Sequence, residues 1–120
     1  MNLVAIRGAI TCLENSPEAI LSSTHRLMSA LIEKNRLSPE NVVSIIFSAT
    51  PDLNAVYPAQ AVREMGWSQV PMLCLQEMNV ENSLAHCLRV LIHATLPLPP
   101  HHVYLEQAQS LRPDWAQDEP

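Results

Sequence analysis

Four polar residues stand in surroundings that are otherwise apolar. Arg7 interrupts LVAIRGAIT (Leu3–Thr11), Glu77 closes VPMLCLQEM (Val70–Met78), Arg89 is flanked by Leu88, Val90 and Leu91, and Tyr104 follows Val103 near the end of the chain. A guanidinium does not lose its charge by deprotonating, so a covered arginine needs an anion. Two readings are open. An Arg7–Glu77 or Arg89–Glu77 ion pair would serve the fold. Alternatively, Arg7, Arg89 and Arg63 outnumber the one nearby carboxylate, and a pocket that receives an acidic ligand would relieve a surplus of positive charge that is expensive to bury. Six of the seven cations are arginines (Lys34 is the only lysine), and arginine suits two-pronged recognition of carboxylate or phosphate.

Other chemistries have weaker support. His101 and His102 are adjacent, so on a strand they face opposite ways. His86 and His93 lie seven apart, and no cysteine or carboxylate spacing completes a metal site. Cys74 would be a nucleophile only if a neighbouring cation lowered its pKa; as a small apolar filler in a buried strand it needs no such neighbour. Serine lacks a G-x-S-x-G elbow. With only Gly8 and Gly66 in the chain, a glycine-rich phosphate loop is impossible.

These residues are carried by 120 positions, enough for one domain. Hydrophobic residues make up 48% and charged residues 16%, which is not a disordered composition. The net charge of -5 argues against nucleic acid. No apolar run approaches a membrane span, and the N-terminus lacks a secretory pattern. Cys12, Cys74 and Cys87 have no paired spacing, which suits a reducing cytoplasm.

The pattern predicts a first strand over Leu3–Cys12, with Val4, Ile6, Gly8 and Ile10 on one face. Arg7 shares the other with Leu3, Ala5 and Ala9, where small side chains leave room. A helix follows from Ser16 to Arg36, capped by Ser16, with Pro17 in its first turn and Ile20, Leu27, Met28 and Leu31 on its buried stripe. Val42–Thr50 reads as a strand covered on both faces, Pro51–Pro58 as a loop, Pro58–Gly66 as a short helix and Val70–Met78 as a third strand. Asn82–Ala94 reads as a third helix with Leu84, Cys87, Leu88, Leu91 and Ile92 buried. Leu96–Pro100 is a stiff linker. A fourth strand is expected near His102–Glu106 and a short fifth near Ser110–Arg112. The polar tail from Pro113 is expected to be loose. The order β-α-β-α-β-α-β implies a mixed α/β domain on one sheet.

Five segments then resemble a known family: AIRGAIT, SATPDLNAVYPAQAVRE, GWSQVPMLCLQEM, CLRV and HVYLEQAQSLRPD. In this order and spacing they are similar to the monofunctional chorismate mutases of the trimeric, pseudo-α/β-barrel class, and they span Ala5 to Asp114. The resemblance implies an α/β fold, an α+β mixed sheet with helices on one side, in a single domain over residues 1–114 with residues 115–120 as a flexible tail. It implies a homotrimer with a ligand cleft at each subunit interface, and conversion of chorismate to prephenate in phenylalanine and tyrosine biosynthesis. It implies no cofactor and no metal. Carried over by position, Arg7, Glu77 and Arg89 are the catalytic set. Leu73, Cys74, Leu75, Gln76 and Tyr104 join them against the substrate, and Tyr57, Arg63 and Arg112 line the cleft or its lid. Gln60 departs from the lysine that relatives often carry, and Leu73 from a threonine, so altered affinity is expected rather than lost chemistry. Two alternatives share the implied architecture: an imine-hydrolysing deaminase, and a non-catalytic sensor of an aromatic-pathway acid.

Overall fold

A computed structural model describes residues 1–97 and 99–116. Its frame is a five-stranded sheet in the order β3-β2-β4-β1-β5. The strands are β1 (Asn2–Thr11), β2 (Val42–Ala49), β3 (Met72–Gln76), β4 (Cys87–Leu96) and β5 (Val103–Tyr104). β4 is the central strand, antiparallel to both β1 and β2, while β3 and β5 lie parallel to their neighbours at the two edges.

Helix α1 (Pro17–Asn35) begins as the sequence predicts, with the Ser16 hydroxyl accepting from Ala19 N–H at 3.1 Å and Pro17 in the first turn. It stops where Arg36 takes a left-handed conformation and Leu37 N–H bonds Ile32 C=O. Ile20, Leu27, Met28 and Leu31 are buried on its inner face. Helix α2 (Ala59–Glu64) adds Ala59 and Val62 to the same layer. Together they cover Ile6, Ile10, Ile45, Phe47, Leu88, Val90 and Ile92, which form the main core. The approach of α1 is close because Gly8 lies beneath it. A Cβ at that position would stand 2.9 Å from Leu31 Cδ1 and 3.2 Å from the Val103 carbonyl oxygen.

The segment Asn82–Ala94 is not a helix. Asn82 and His86 both have positive φ in the turn before β4, and Cys87–Leu96 is a strand. Leu84, Cys87, Leu88, Leu91 and Ile92 do satisfy a helical stripe. The same residues also alternate, however, with Leu88, Val90, Ile92, Ala94 and Leu96 buried and Arg89, Leu91, His93 and Thr95 half-buried. Ladder bonds to two neighbouring strands, and the β-branched Val90, Ile92 and Thr95, favour the period of two. The element order is therefore β-α-β-α-β-β-β, still a mixed sheet with α1 and α2 on one side.

The C-terminal expectations also change. β5 is only two residues long, because Glu106 turns with φ 53. A 3₁₀ turn over Glu106–Ser110 and helix α3 (Pro113–Ala116) replace the expected fifth strand. They fold over the β1–β5 edge onto the opposite face, where Ala9, Cys87, Tyr104 and Ala108 make a second buried cluster against Leu84, Leu111 and Trp115. β2 is not fully covered on both faces: Val43 is exposed and Ser44, Ile46 and Ser48 are half-buried. In the linker, Leu96 belongs to β4, and Leu98 lies outside the described residues, as do residues 117–120 of the expected tail.

Candidate active site

The face of the sheet turned away from α1 carries the polar residues. β1 places Arg7 and Ala9 there, as the alternation of Val4, Ile6, Gly8 and Ile10 requires. Ladder register then lines up one row across all five strands: Leu75 beside Ser48, Ser48 beside Arg89, Arg89 beside Ala9, and Ala9 beside Tyr104. Ala9, itself buried, lies between Arg89 and Tyr104 in this row. Glu77 continues the ladder one residue past β3, its N–H donating to Ala49 C=O at 2.8 Å. This brings its carboxylate to Ser48, whose hydroxyl donates to Oε1.

Arg89 Nε lies 3.6 Å from the same Glu77 oxygen, and both side chains are three-quarters buried. That separation makes an ion pair but no hydrogen bond, and Arg89 Nε is buried without a partner. The Tyr104 hydroxyl is likewise buried and unpartnered. Burial pushes its phenol pKa up, while Arg7, Arg112 and Arg89 pull it back; the group stays a neutral O–H donor with three guanidiniums nearby. Arg7 has no carboxylate partner among the described residues. Its backbone N–H donates to His102 Nδ1 at 3.0 Å, and its guanidinium stands 5.9 Å from the centre of the Trp115 ring.

Arg112 is differently placed. Two of its nitrogens bond Asp114, at 3.1 and 2.7 Å, and its guanidinium lies 3.5 Å from the Trp115 ring centre. His102 stacks on that ring at 3.9 Å. Trp115, which reads in the sequence only as part of a polar tail, thus connects Arg112, His102, Arg7 and Tyr104.

The remaining sequence candidates lie toward the other edge of the sheet. A cleft of about 540 Å³ is lined by Tyr57, Cys74, Leu75, Gln76 and the Ala49–Pro58 segment. Tyr57 and Leu75 are exposed, as is Leu73 on the open face. Cys74 packs against the helix-side core, opposite the face that carries Arg89. Arg63 is exposed on α2 and is not among the residues lining this cleft. Gln60 bonds Glu64 along the same helix at 3.1 Å. The site candidates thus fall toward the two edges of one sheet. Arg89 pairs with Glu77 and lies in one row with Tyr104, near which Arg7 and Arg112 stand, whereas Tyr57, Cys74, Leu75 and Gln76 line the cleft. Ser48, which orients Glu77, was not singled out from the sequence; its only signal is the alternation of Ser44, Ile46 and Ser48 along β2. Among the described residues no group of three or more His, Cys, Asp or Glu side chains could hold a metal ion.

Comparison with known proteins places the chain in a family. The profile of the family described as chorismate mutase type I matches residues 3–115. The chorismate mutase AroH of Bacillus subtilis (strain 168) is 47% identical over 118 residues, covering 95% of this chain and 93% of the relative. Its namesake in Thermus thermophilus is 42% identical over 113 residues, covering 91% and 93%. A solved chorismate mutase from Clostridium thermocellum superposes with a TM-score of 0.87 at 39% identity, covering 89% of this chain and 98% of that one. By the span of the profile match and by both relatives, the chain belongs to the type I chorismate mutase family.

Proposed function

We infer that the protein is a chorismate mutase, an isomerase that converts chorismate to prephenate in aromatic amino-acid biosynthesis. The observation that carries this reading is a set of donors without hydrogen-bond acceptors: Arg89 Nε and the Tyr104 hydroxyl, both buried, beside an Arg7 with no carboxylate partner among the described residues. A buried donor left unmade costs about 1–3 kcal/mol. A dianionic ligand between them would supply the missing acceptors.

Chorismate rearranges within itself. Its ether carbon–oxygen bond breaks as a carbon–carbon bond forms, without a proton transfer or a protein nucleophile. The residues therefore act by position and charge. Arg7 grips the enolpyruvyl carboxylate with its fork of donors, and Tyr104 donates to the same group. Arg89 faces the ether oxygen, which gains negative charge as the bond stretches. A donor already in place there stabilises the transition state more than the ground state. Glu77, held by Ser48, accepts from the ring hydroxyl and offsets positive charge spreading over the ring. Fixing the compact chair conformer lowers the entropic part of the barrier.

The working unit in this reading is a homotrimer with its active sites at the interfaces. The open sheet face carries exposed Leu3, Leu73 and Leu75, an apolar surface that favours burial between subunits. Tyr57, Cys74, Leu75 and Gln76 then reach the arginine cluster of a neighbouring chain. Backbone groups of Leu73–Gln76 remain available even though Leu73 has no hydroxyl. The three free cysteines suit a reducing cytoplasm, and among the described residues no helix is long and apolar enough to cross a membrane.

The test is a direct assay on purified protein. Chorismate absorbance is expected to fall as prephenate accumulates. Binding without conversion would favour the sensor alternative, and hydrolysis of an imine substrate would favour the deaminase. A cation aimed at an ether oxygen has no task in imine hydrolysis.

A further inference from the structure

Arg89 lies two residues after the start of β4, and that start is tied down by a side chain that is not among the proposed substrate contacts. We propose that Asp52 is a positioning residue for the reaction, acting through Thr50 and the backbone of His86 to fix the first residues of β4 and so the reach of Arg89. One Asp52 oxygen accepts from the Thr50 hydroxyl, and the other accepts from His86 N–H at 3.0 Å. The buried Thr50 oxygen in turn accepts from Cys87 N–H at 3.0 Å, while Thr50 N–H donates to Cys87 C=O at 3.0 Å. His86 C=O accepts from Cys12 N–H at 2.8 Å. Asp52 thereby joins the ends of β1 and β2 to the beginning of β4.

His86 shows why the tie is needed. Its φ of 51 is left-handed, a conformation that a side-chain-bearing residue adopts at a cost unless local bonds hold it. The Asp52 carboxylate supplies a charge-assisted bond to that residue's N–H. The His86 ring lies 3.9 Å from the same carboxylate and adds an attraction when protonated. The same node reaches the other member of the ion pair: Ala49, next to Thr50, accepts from Glu77 N–H. A small shift here moves Arg89 relative to Glu77 without touching a ligand.

The kinetic part of the test rests on the chorismate mutase reading; the structural part does not. Asp52→Ala is expected to lower kcat about tenfold or more, because a shift of roughly 1 Å in an aligned group can cost up to about a hundredfold. KM should stay within about twofold, since Arg89 acts mainly in the transition state. Asp52→Asn should recover most of the loss. Its carbonyl can serve His86 N–H while its amide donates to Thr50, whose hydroxyl then turns to Cys87 C=O at 3.4 Å. In ¹⁵N-labelled protein, the His86 and Cys87 amides should exchange faster in Asp52→Ala than in the natural chain, and near normally in Asp52→Asn. If Asp52→Ala does not fold, Thr50→Val breaks the same relay and should show the same split between kcat and KM. Unchanged kcat, unchanged exchange at His86 and Cys87, or equal damage in Asp52→Asn and Asp52→Ala would each overturn the proposal. Inactivity of the natural chain toward chorismate would overturn the functional reading alone, and the exchange measurement would still decide the role of Asp52.

Discussion

At the scale of the residue, function and stability are opposed. The Tyr104 hydroxyl is buried without a partner, so Tyr104→Phe removes a group that burdens the free protein. Thermal unfolding of that variant is expected at an unchanged or higher midpoint, while kcat/KM falls about tenfold with the loss of one donor; a drop in the midpoint together with intact activity would contradict the role given to the phenol. Arg7→Ala should lower kcat/KM strongly, and lysine in its place should restore only part, because the two-pronged fork is absent. Asp52 has a pH signature of its own. Burial raises its pKa, but the Thr50 and His86 bonds outweigh that effect and hold it below its ordinary 3.8. Its contribution to stability is therefore present above that value and is lost as pH falls through the lower folded-state value. Denaturant melts of the natural chain and of Asp52→Asn should converge as the pH is lowered through this range and separate above it.

At the scale of the element, legibility followed how many signals agreed. Helix α1 was legible because its Ser16 cap, Pro17 and apolar stripe all point the same way. β1 was legible down to the facing of Arg7, since the alternation around it has no helical counterpart. β4 was misread because CLRVLIHATL satisfies both periods. What decides between them is the position of the strand between β1 and β2, which is a tertiary fact and lies outside the segment. The stretch Pro113–Ala116 was misread for a similar reason, since nothing local reveals that Trp115 will meet Arg112 and His102. The role of Gly8 also emerges only in the packed fold. Gly8→Ala would bring a methyl against Leu31 and against the Val103 carbonyl, which has little freedom to yield. A loss of about 1–3 kcal/mol in chemical denaturation is expected, as for an overpacked core.

At the scale of the whole molecule, the proposed trimer is what would complete the site. The arginine cluster occupies one part of the open face, and the Tyr57–Gln76 cleft lies toward the other edge, with exposed leucines around them. Analytical ultracentrifugation is expected to give three chain masses, and a charged substitution such as Leu75→Asp should shift the protein toward monomer and abolish turnover while the fold persists. Assembly on its own does not make the transition state favourable; in this account a guanidinium fixed beside the breaking ether bond does. The most direct test is the rate of chorismate disappearance with the natural chain and with Arg89→Ala, both measured as assembled trimers. Arg89→Ala should keep its assembly and lose kcat by about a hundred- to a thousandfold. Near-normal turnover in that variant would contradict the account.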